Sequence, residues 1–314
     1  VLTALRGEVE LAYVADVSAA AAARVGKSYR CRSVHIAADP DELPATDAVL
    51  VAVPVGVRRP YYELLADRGT AVLAEKPAVV DMESLKFLCG AFAPDRFAVG
   101  FQRRTYASTA MLRRLVESGV LGPLLNLRSE EGDRMTRTGV QQRFHDDISL
   151  SGGGILMDLG CHAVDLFFFL TGAGASDSID ASAVMDGCVD REVLLRARLP
   201  IAPVPVSAEV SLSWLAHRAG MLHLAFENGV AHVSTAPGGL VHLSDRNGAP
   251  VAGVAADVST APAAATTVHQ ACYLVWRSFL DALAGRADPM LTLDSIAPTV
   301  QLIESAYRHI RSQT

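Results

Sequence analysis

The sequence predicts an α/β domain built on a parallel sheet, followed by an α+β domain built on an antiparallel sheet. Three observations predict it. Through residue 100, short apolar runs alternate with helical segments across short connections, as in a parallel sheet covered by helices. After Gly172, runs of strand character succeed one another with only turns between them. Between the two lies a glycine-marked apolar segment, Gly152 to Leu170, that reads as one buried helix.

The first run, Val9–Ala15, stops at Asp16, and Ser18 is placed to cap an Ala-rich helix reaching Val25. Val34–Ala37 is a weaker strand. Ala48–Val53 is continuous rather than alternating, as expected of a strand buried on both faces, and Pro54 closes it. A helix over Arg59–Arg68 ends at Gly69. Thr70–Ala74 is the next strand, with Glu75-Lys76-Pro77 at its carboxyl edge. Asp81 caps a helix reaching Phe92, and Phe97–Gly100 completes the series. Ligands of such sheets bind outside the carboxyl ends of the strands. Asp16, Pro54 and Glu75-Lys76-Pro77 share that edge.

From Thr105 the texture changes. Thr105–Ser118 is an amphipathic helix with Met111, Leu112, Leu115 and Val116 on one side, stopped by Gly119 and Gly122. Leu124–Glu131 is a strand, and Asp133–Ser151 a polar loop. Strand runs follow at Ile179–Met185, Val193–Leu199, Val204–Leu212, Met221–Phe226, Val230–Val233 and Leu240–Leu243. Glu227-Asn228-Gly229 and Arg246-Asn247-Gly248 are turn signals. Ala252–Thr267 reads as an exposed loop. Helices near Val268–Leu283 and Asp294–Arg311 close the chain, with Gly285 and Pro289 between them.

The glycine segment carries the chemistry. Three glycines let the backbone bend and approach a ligand closely, and the Phe167–Phe169 triplet is core packing. Asp158 and His162 stand four residues apart, which puts them on one helical face as a plausible acid–base pair. Each candidate also has a plain structural reading: a cap for Asp158, a satisfied core imidazole for His162, a turn for Asp16, a salt-bridged surface residue for Lys76. His145-Asp146-Asp147, ahead of the glycines, reads as surface loop.

Composition narrows the classes. With 50% hydrophobic and 20% charged residues over 314 positions, the chain can bury two cores and is not disordered. A net charge of −6 without a basic stripe argues against nucleic acid. The five cysteines, Cys31, Cys89, Cys161, Cys188 and Cys272, are odd in number and lack C-x-x-C spacing, so neither a disulfide framework nor a metal site is expected. They read as small buried residues in a reducing, cytoplasmic setting. No apolar run approaches the roughly twenty residues that span a bilayer, and no secretory signal opens the sequence. A dinucleotide-binding sheet opens with G-x-G-x-x-G, followed about twenty residues on by an acidic residue. Asp16 is placed like that residue, but only Gly7 precedes it. The sequence therefore either begins inside the fold, the preferred reading, or has lost the phosphate site.

With these residues placed, the chain resembles the Gfo/Idh/MocA family of nicotinamide-dependent oxidoreductases along nearly its whole length. The matching pieces are Ala48–Pro54, Val72-Leu73-Ala74-Glu75-Lys76-Pro77, Val99-Gly100-Phe101-Gln102-Arg103-Arg104, Leu115–Gly122, and Gly152–His162 as G-G-G-x-x-x-D-x-G-x-H. The resemblance implies a Rossmann-type domain over 1–100 and, over 101–314, a substrate and oligomerisation domain with a large open antiparallel sheet, its C-terminal helices packing back on the first. It implies NAD as cofactor, NADP being disfavoured by Asp16. The implied substrate is a sugar, polyol or similar hydroxylated molecule, with neither membrane nor nucleic acid as partner and copies associating through the sheet. Lys76, Asp158 and His162 are the implied catalytic residues: His162 takes the hydroxyl proton, Lys76 stabilises the alkoxide, and Asp158 orients the pair or contacts a substrate hydroxyl. Asp16, Pro54, Glu75, Lys76, Pro77 and Arg104 are the implied cofactor-binding residues. Where the family carries a histidine after Val53-Pro54, this sequence has Arg58-Arg59, which implies altered contacts to the cofactor or its entry. The second reading is a non-catalytic sugar-binding or scaffold relative that has lost the cofactor.

Overall fold

A computed structural model describes residues 1–5, 7–31, 33–35, 39–135, 144–251, 264–286 and 290–313. The end of the expected strand at Ala37, residues 136–143 of the expected polar loop, residues 252–263 of the Ala252–Thr267 segment and the turn at Pro289 lie outside them.

The N-terminal part holds two parallel sheets. β1 (Val14–Ala15) pairs with β2 (Val34–His35), with α1 (Ala19–Tyr29) between them. β3 (Ala48–Val51), β4 (Ala71–Ala74) and β5 (Phe97–Val99) form the other, connected through α2 (Arg59–Asp67) and α3 (Met82–Ala91). The helix starts follow their sequence signals: Ser18 and Asp81 accept backbone N–H groups of Ala21 and Ser84. Two expectations change. Val9–Ala15 is strand only at its last two residues, because the ladder offers partners only there. Burial on both faces belongs to β4, which is enclosed throughout. β3 is an edge strand and leaves Leu50 45% exposed.

The second part is a seven-stranded sheet in the order β12-β11-β10-β6-β9-β8-β7. Its strands are β6 (Leu124–Gly132), β7 (Ser178–Asp186), β8 (Val189–Leu199), β9 (Val206–Ser213), β10 (Arg218–Phe226), β11 (Gly229–Ser234) and β12 (His242–Asp245). All its neighbours are antiparallel except β6 and β9, so the sheet is mixed. The chain leaves β6 through the central helix and two further strands before β9 returns beside it, which reverses that one pairing.

α4 (Ala107–Ser118) packs against the helix that ends the glycine segment. A short helix α5 (Ile148–Ser151) ends at Gly152 in the left-handed conformation, φ +75°. A π-helical turn, Leu156–Gly160, then runs into α6 (Cys161–Thr171). The helical run Ile148–Thr171 is long and apolar enough, by length and composition, to cross a membrane, contrary to the sequence expectation. With 83% of its most apolar window buried inside the protein, it serves here as the core helix. The closing helices are α7 (Val268–Leu283) and α8 (Leu293–Ser312). α8 packs on α3, α6 and β7, so it spans both parts of the molecule. All five cysteines are free, but of the five expected to be buried only Cys161 is: Cys31 and Cys272 are half-buried, and Cys89 and Cys188 are exposed.

Candidate active site

The glycine run is shaped by the protein itself. A Cβ at Gly153 would meet the Tyr307 hydroxyl at 2.2 Å, and one at Gly154 would meet the Asp190 carbonyl at 2.0 Å. Asp190, fully enclosed, accepts the N–H groups of Gly154 (2.7 Å) and Leu156 (2.8 Å) and the Tyr307 hydroxyl (2.9 Å). Burial pushes the Asp190 carboxyl up in pKa, and the two N–H donors oppose that shift. The expected close approach is therefore to β8 and α8, and it fixes the turn that aims Asp158.

Lys76 leaves the carboxyl end of β4 and crosses to this turn. Its Nζ donates to the Asp158 carbonyl (2.8 Å) and to Asp158 Oδ1 (3.0 Å), joining residues 82 apart in sequence. Burial works against the Lys76 charge. Cys161, Asp158 and Glu75 more than reverse this and raise its pKa. The Cys161 thiol, pushed up to about 12 by burial, stays neutral near pH 7, which leaves the carboxylates to hold the ammonium.

His162 is 4% exposed and meets the Phe101 ring edge-on at 5.9 Å. Burial, then Arg103 and Lys76, hold its pKa well below 6.5, so the imidazole is neutral at physiological pH. Nδ1 is enclosed without a hydrogen-bond partner among the described residues. Among the described residues no hydrogen bond joins Asp158 to His162. The intervening π turn moves them out of the i, i+4 register of a regular α-helix. Lys76 and Asp158 are thus brought into contact, and His162 stands within the electrostatic reach of Lys76 rather than in the expected pair.

The other expected residues divide. Asp16 follows β1, and its Oδ1 accepts the Ser18 N–H at 2.7 Å. Pro54 follows β3, and Glu75 is exposed at the end of β4 beside Lys76 and Pro77. Arg104 is not at that edge. Its guanidinium is spent on Asp165 and Ser295, in an ion pair whose side chains are 2% and 1% exposed. That pair ties the domain crossing to α6 and α8.

The sequence did not disclose the partners of Arg58, Arg59 and Arg103 or the packing of His145. Arg58, 4% exposed, donates through Nε to the Val53 carbonyl (2.7 Å) and through a terminal nitrogen to the carbonyls of Glu75 and Pro77. It therefore holds the ends of β3 and β4 together around Lys76. Arg59 pairs with Glu63 on the surface. Arg103 forms two hydrogen bonds with Glu131 (2.6 and 2.8 Å), and Glu131 lines a cavity of about 400 Å³ that also touches Leu159 and Trp214. His145, expected on a plain surface loop, packs edge-on against Trp214 at 5.3 Å. Only the acidic end of β6, Glu130-Glu131, hinted at this cavity in the sequence.

Residues 1–96 match the oxidoreductase family with an NAD-binding Rossmann fold, and residues 109–234 match the GFO/IDH/MocA C-terminal domain. The rhizopine catabolism protein MocA of Rhizobium meliloti is 29% identical over 168 residues, covering 52% of this chain and 50% of that protein. Inositol 2-dehydrogenase of R. meliloti strain 1021 is 26% identical over 195 residues, 59% of this chain and 54% of the enzyme. The chain thus spans about half the length of the curated relatives it matches. The WlbA dehydrogenase of Bordetella pertussis, solved with NADH and UDP-GlcNAcA, superposes with a TM-score of 0.79 at 17% identity over 99% of this chain and 91% of that one. That likeness is one of fold.

Proposed function

Because the chain belongs to the GFO/IDH/MocA family of oxidoreductases, we propose that it is a nicotinamide-dependent dehydrogenase acting on a secondary alcohol of a sugar, polyol or related hydroxylated molecule. The observation that carries this reading is the contact between Lys76 from the parallel sheet and Asp158 from the second domain, with neutral His162 beside it. The names of the relatives, inositol and UDP-sugar dehydrogenases among them, support the substrate class.

The residues present fit the cofactor at its two ends. Asp16 keeps Oδ2 for the adenosine ribose hydroxyls, and its carboxylate disfavours a 2′-phosphate, so NAD is the proposed cofactor over NADP. The Pro54 and Glu75–Pro77 edge would hold the nicotinamide, and the buried His162 ring, whose Nδ1 has no partner among the described residues, would meet the substrate hydroxyl. A bound nicotinamide supplies the hydride acceptor. Lys76 stabilises the developing alkoxide, since an ammonium aimed at new negative charge lowers the barrier. His162 accepts the hydroxyl proton at Nε2. Asp158 fixes the ammonium in place.

The test is NADH formation against a panel of polyols and sugars, run beside thermal melting with NAD. Turnover of one panel member and a rise in melting temperature are expected, because ligand that binds only the native state stabilises it. No shift with saturating NAD or NADP would overturn the reading. Association of copies through the seven-stranded sheet and a cytoplasmic location belong to the same proposal, the first checked by sedimentation.

A further inference from the structure

The cavity beside Leu159 is lined by two arginines whose side-chain donors its acidic residues do not take up. It opens at the ends of β6, β9 and β10, where Arg218 pairs in register with Gly132. Two acidic groups on its walls are already engaged. Glu131 is held by both terminal nitrogens of Arg103, and Asp133, 83% exposed, turns Oδ1 back onto the Arg134 N–H. The arginines are not. Among the described residues Arg218 Nε is buried without a partner, and the ion contact of this side chain is Glu192 at 3.9 Å, a carboxylate that already accepts the Ser213 hydroxyl. The Arg134 side chain has no ion pair or hydrogen bond among the described residues. A guanidinium with free donors on the wall of a cavity is suited to a carboxylate or phosphate, which matches its fork geometry. Leu159 follows Asp158 in the chain, and Glu131 holds Arg103, whose charge acts on His162, so two wall residues connect the cavity to the residues of the candidate site.

We propose that this cavity receives the end of the substrate remote from the reacting carbon, that this end is anionic, and that Arg218 and Arg134 bind it. The substrate class becomes a hydroxylated acid or sugar phosphate rather than a neutral polyol. The inference deepens the dehydrogenase reading and rests on it.

The experiment is calorimetric titration of the protein, with and without NADH, using aldonates, uronates and sugar phosphates beside their neutral parent sugars. At least one anionic probe binds about tenfold or more tighter than its parent, as a charge-assisted hydrogen bond implies. Arg218→Met removes that preference, Arg218→Lys retains part of it, and Arg134→Gln, a change on an exposed loop, reduces it while the neutral parents are unaffected. Preference for uronates or aldonates assigns a carboxylate, and preference for sugar phosphates assigns a phosphate. Neutral parents binding as tightly as every anion, or an unaltered preference in both Arg218→Met and Arg134→Gln, overturns the proposal. Failure of NADH to bind while the anion preference persists overturns the dehydrogenase reading instead.

Discussion

Replacing Lys76 by methionine separates its structural role from the catalytic role proposed for it. In the native protein the ammonium makes two hydrogen bonds to Asp158, and the two side chains are 17% and 28% exposed. Methionine has a similar length but cannot donate, so Asp158 loses its counter-charge in a site only partly open to water. A hydrogen bond to a charged group contributes about 1.5–3 kcal/mol, and residual solvent at Asp158 puts the expected destabilisation at the lower end of that range. The effect on rate is larger: removing one preorganised donor to a developing oxyanion lowers kcat by about 10²–10³, equivalent to about 2.7–4 kcal/mol. Urea denaturation followed by circular dichroism measures the first quantity, and nicotinamide absorbance under substrate saturation the second. Adding Asp158→Asn to the variant removes the stranded charge, so stability recovers while kcat does not. A folded Lys76→Met protein with wild-type kcat would refute the placement of Lys76 at the reacting carbon. A double variant no more stable than the single would refute the account of the pair.

Three further outcomes follow from the same geometry. Arg58→Met strands the carbonyls of Val53, Glu75 and Pro77, at about 1–3 kcal/mol for each group left unsatisfied, and Arg58→Lys restores part of this; chemical denaturation reads both. Because the folded-state pKa of His162 lies well below 6.5, the unfolded chain binds more protons, so stability falls as pH drops through 6.5 toward the folded value. His162→Gln flattens that loss in melting curves, and alcohol oxidation by the wild type keeps its rate as pH falls through 6.5 because the base stays neutral. Asp165→Ala leaves the buried Arg104 charge unpaired and costs about 3–5 kcal/mol in denaturant titrations, with nicotinamide affinity unchanged in the folded fraction.

The elements whose signals are local were legible. Each of the seven strands of the second sheet was expected, because alternation and turn residues such as Asn228-Gly229 mark them within a few positions. Their order was not legible, since the parallel pairing of β6 with β9 depends on what the intervening chain packs against. Lys76, Asp158 and His162 were legible as a motif. The π turn that separates Asp158 from the His162 face was not, because an apolar run looks the same whether its turns close at four residues or five. The glycines suggested a ligand, but tight packing against Asp190 and Tyr307 accounts for Gly153 and Gly154. Arg58 and Arg104 escaped for one reason: a guanidinium in a sequence does not reveal whether it will meet a cofactor, a carbonyl or a buried carboxylate.

A crystal structure of the protein with NADH bound tests the central claim most directly, through the position of the nicotinamide ring. The account predicts that ring along the Glu75–Pro77 edge, its reactive face turned toward the space between Lys76 Nζ and the His162 ring. A dinucleotide bound elsewhere, or a ring distant from both side chains, would contradict it.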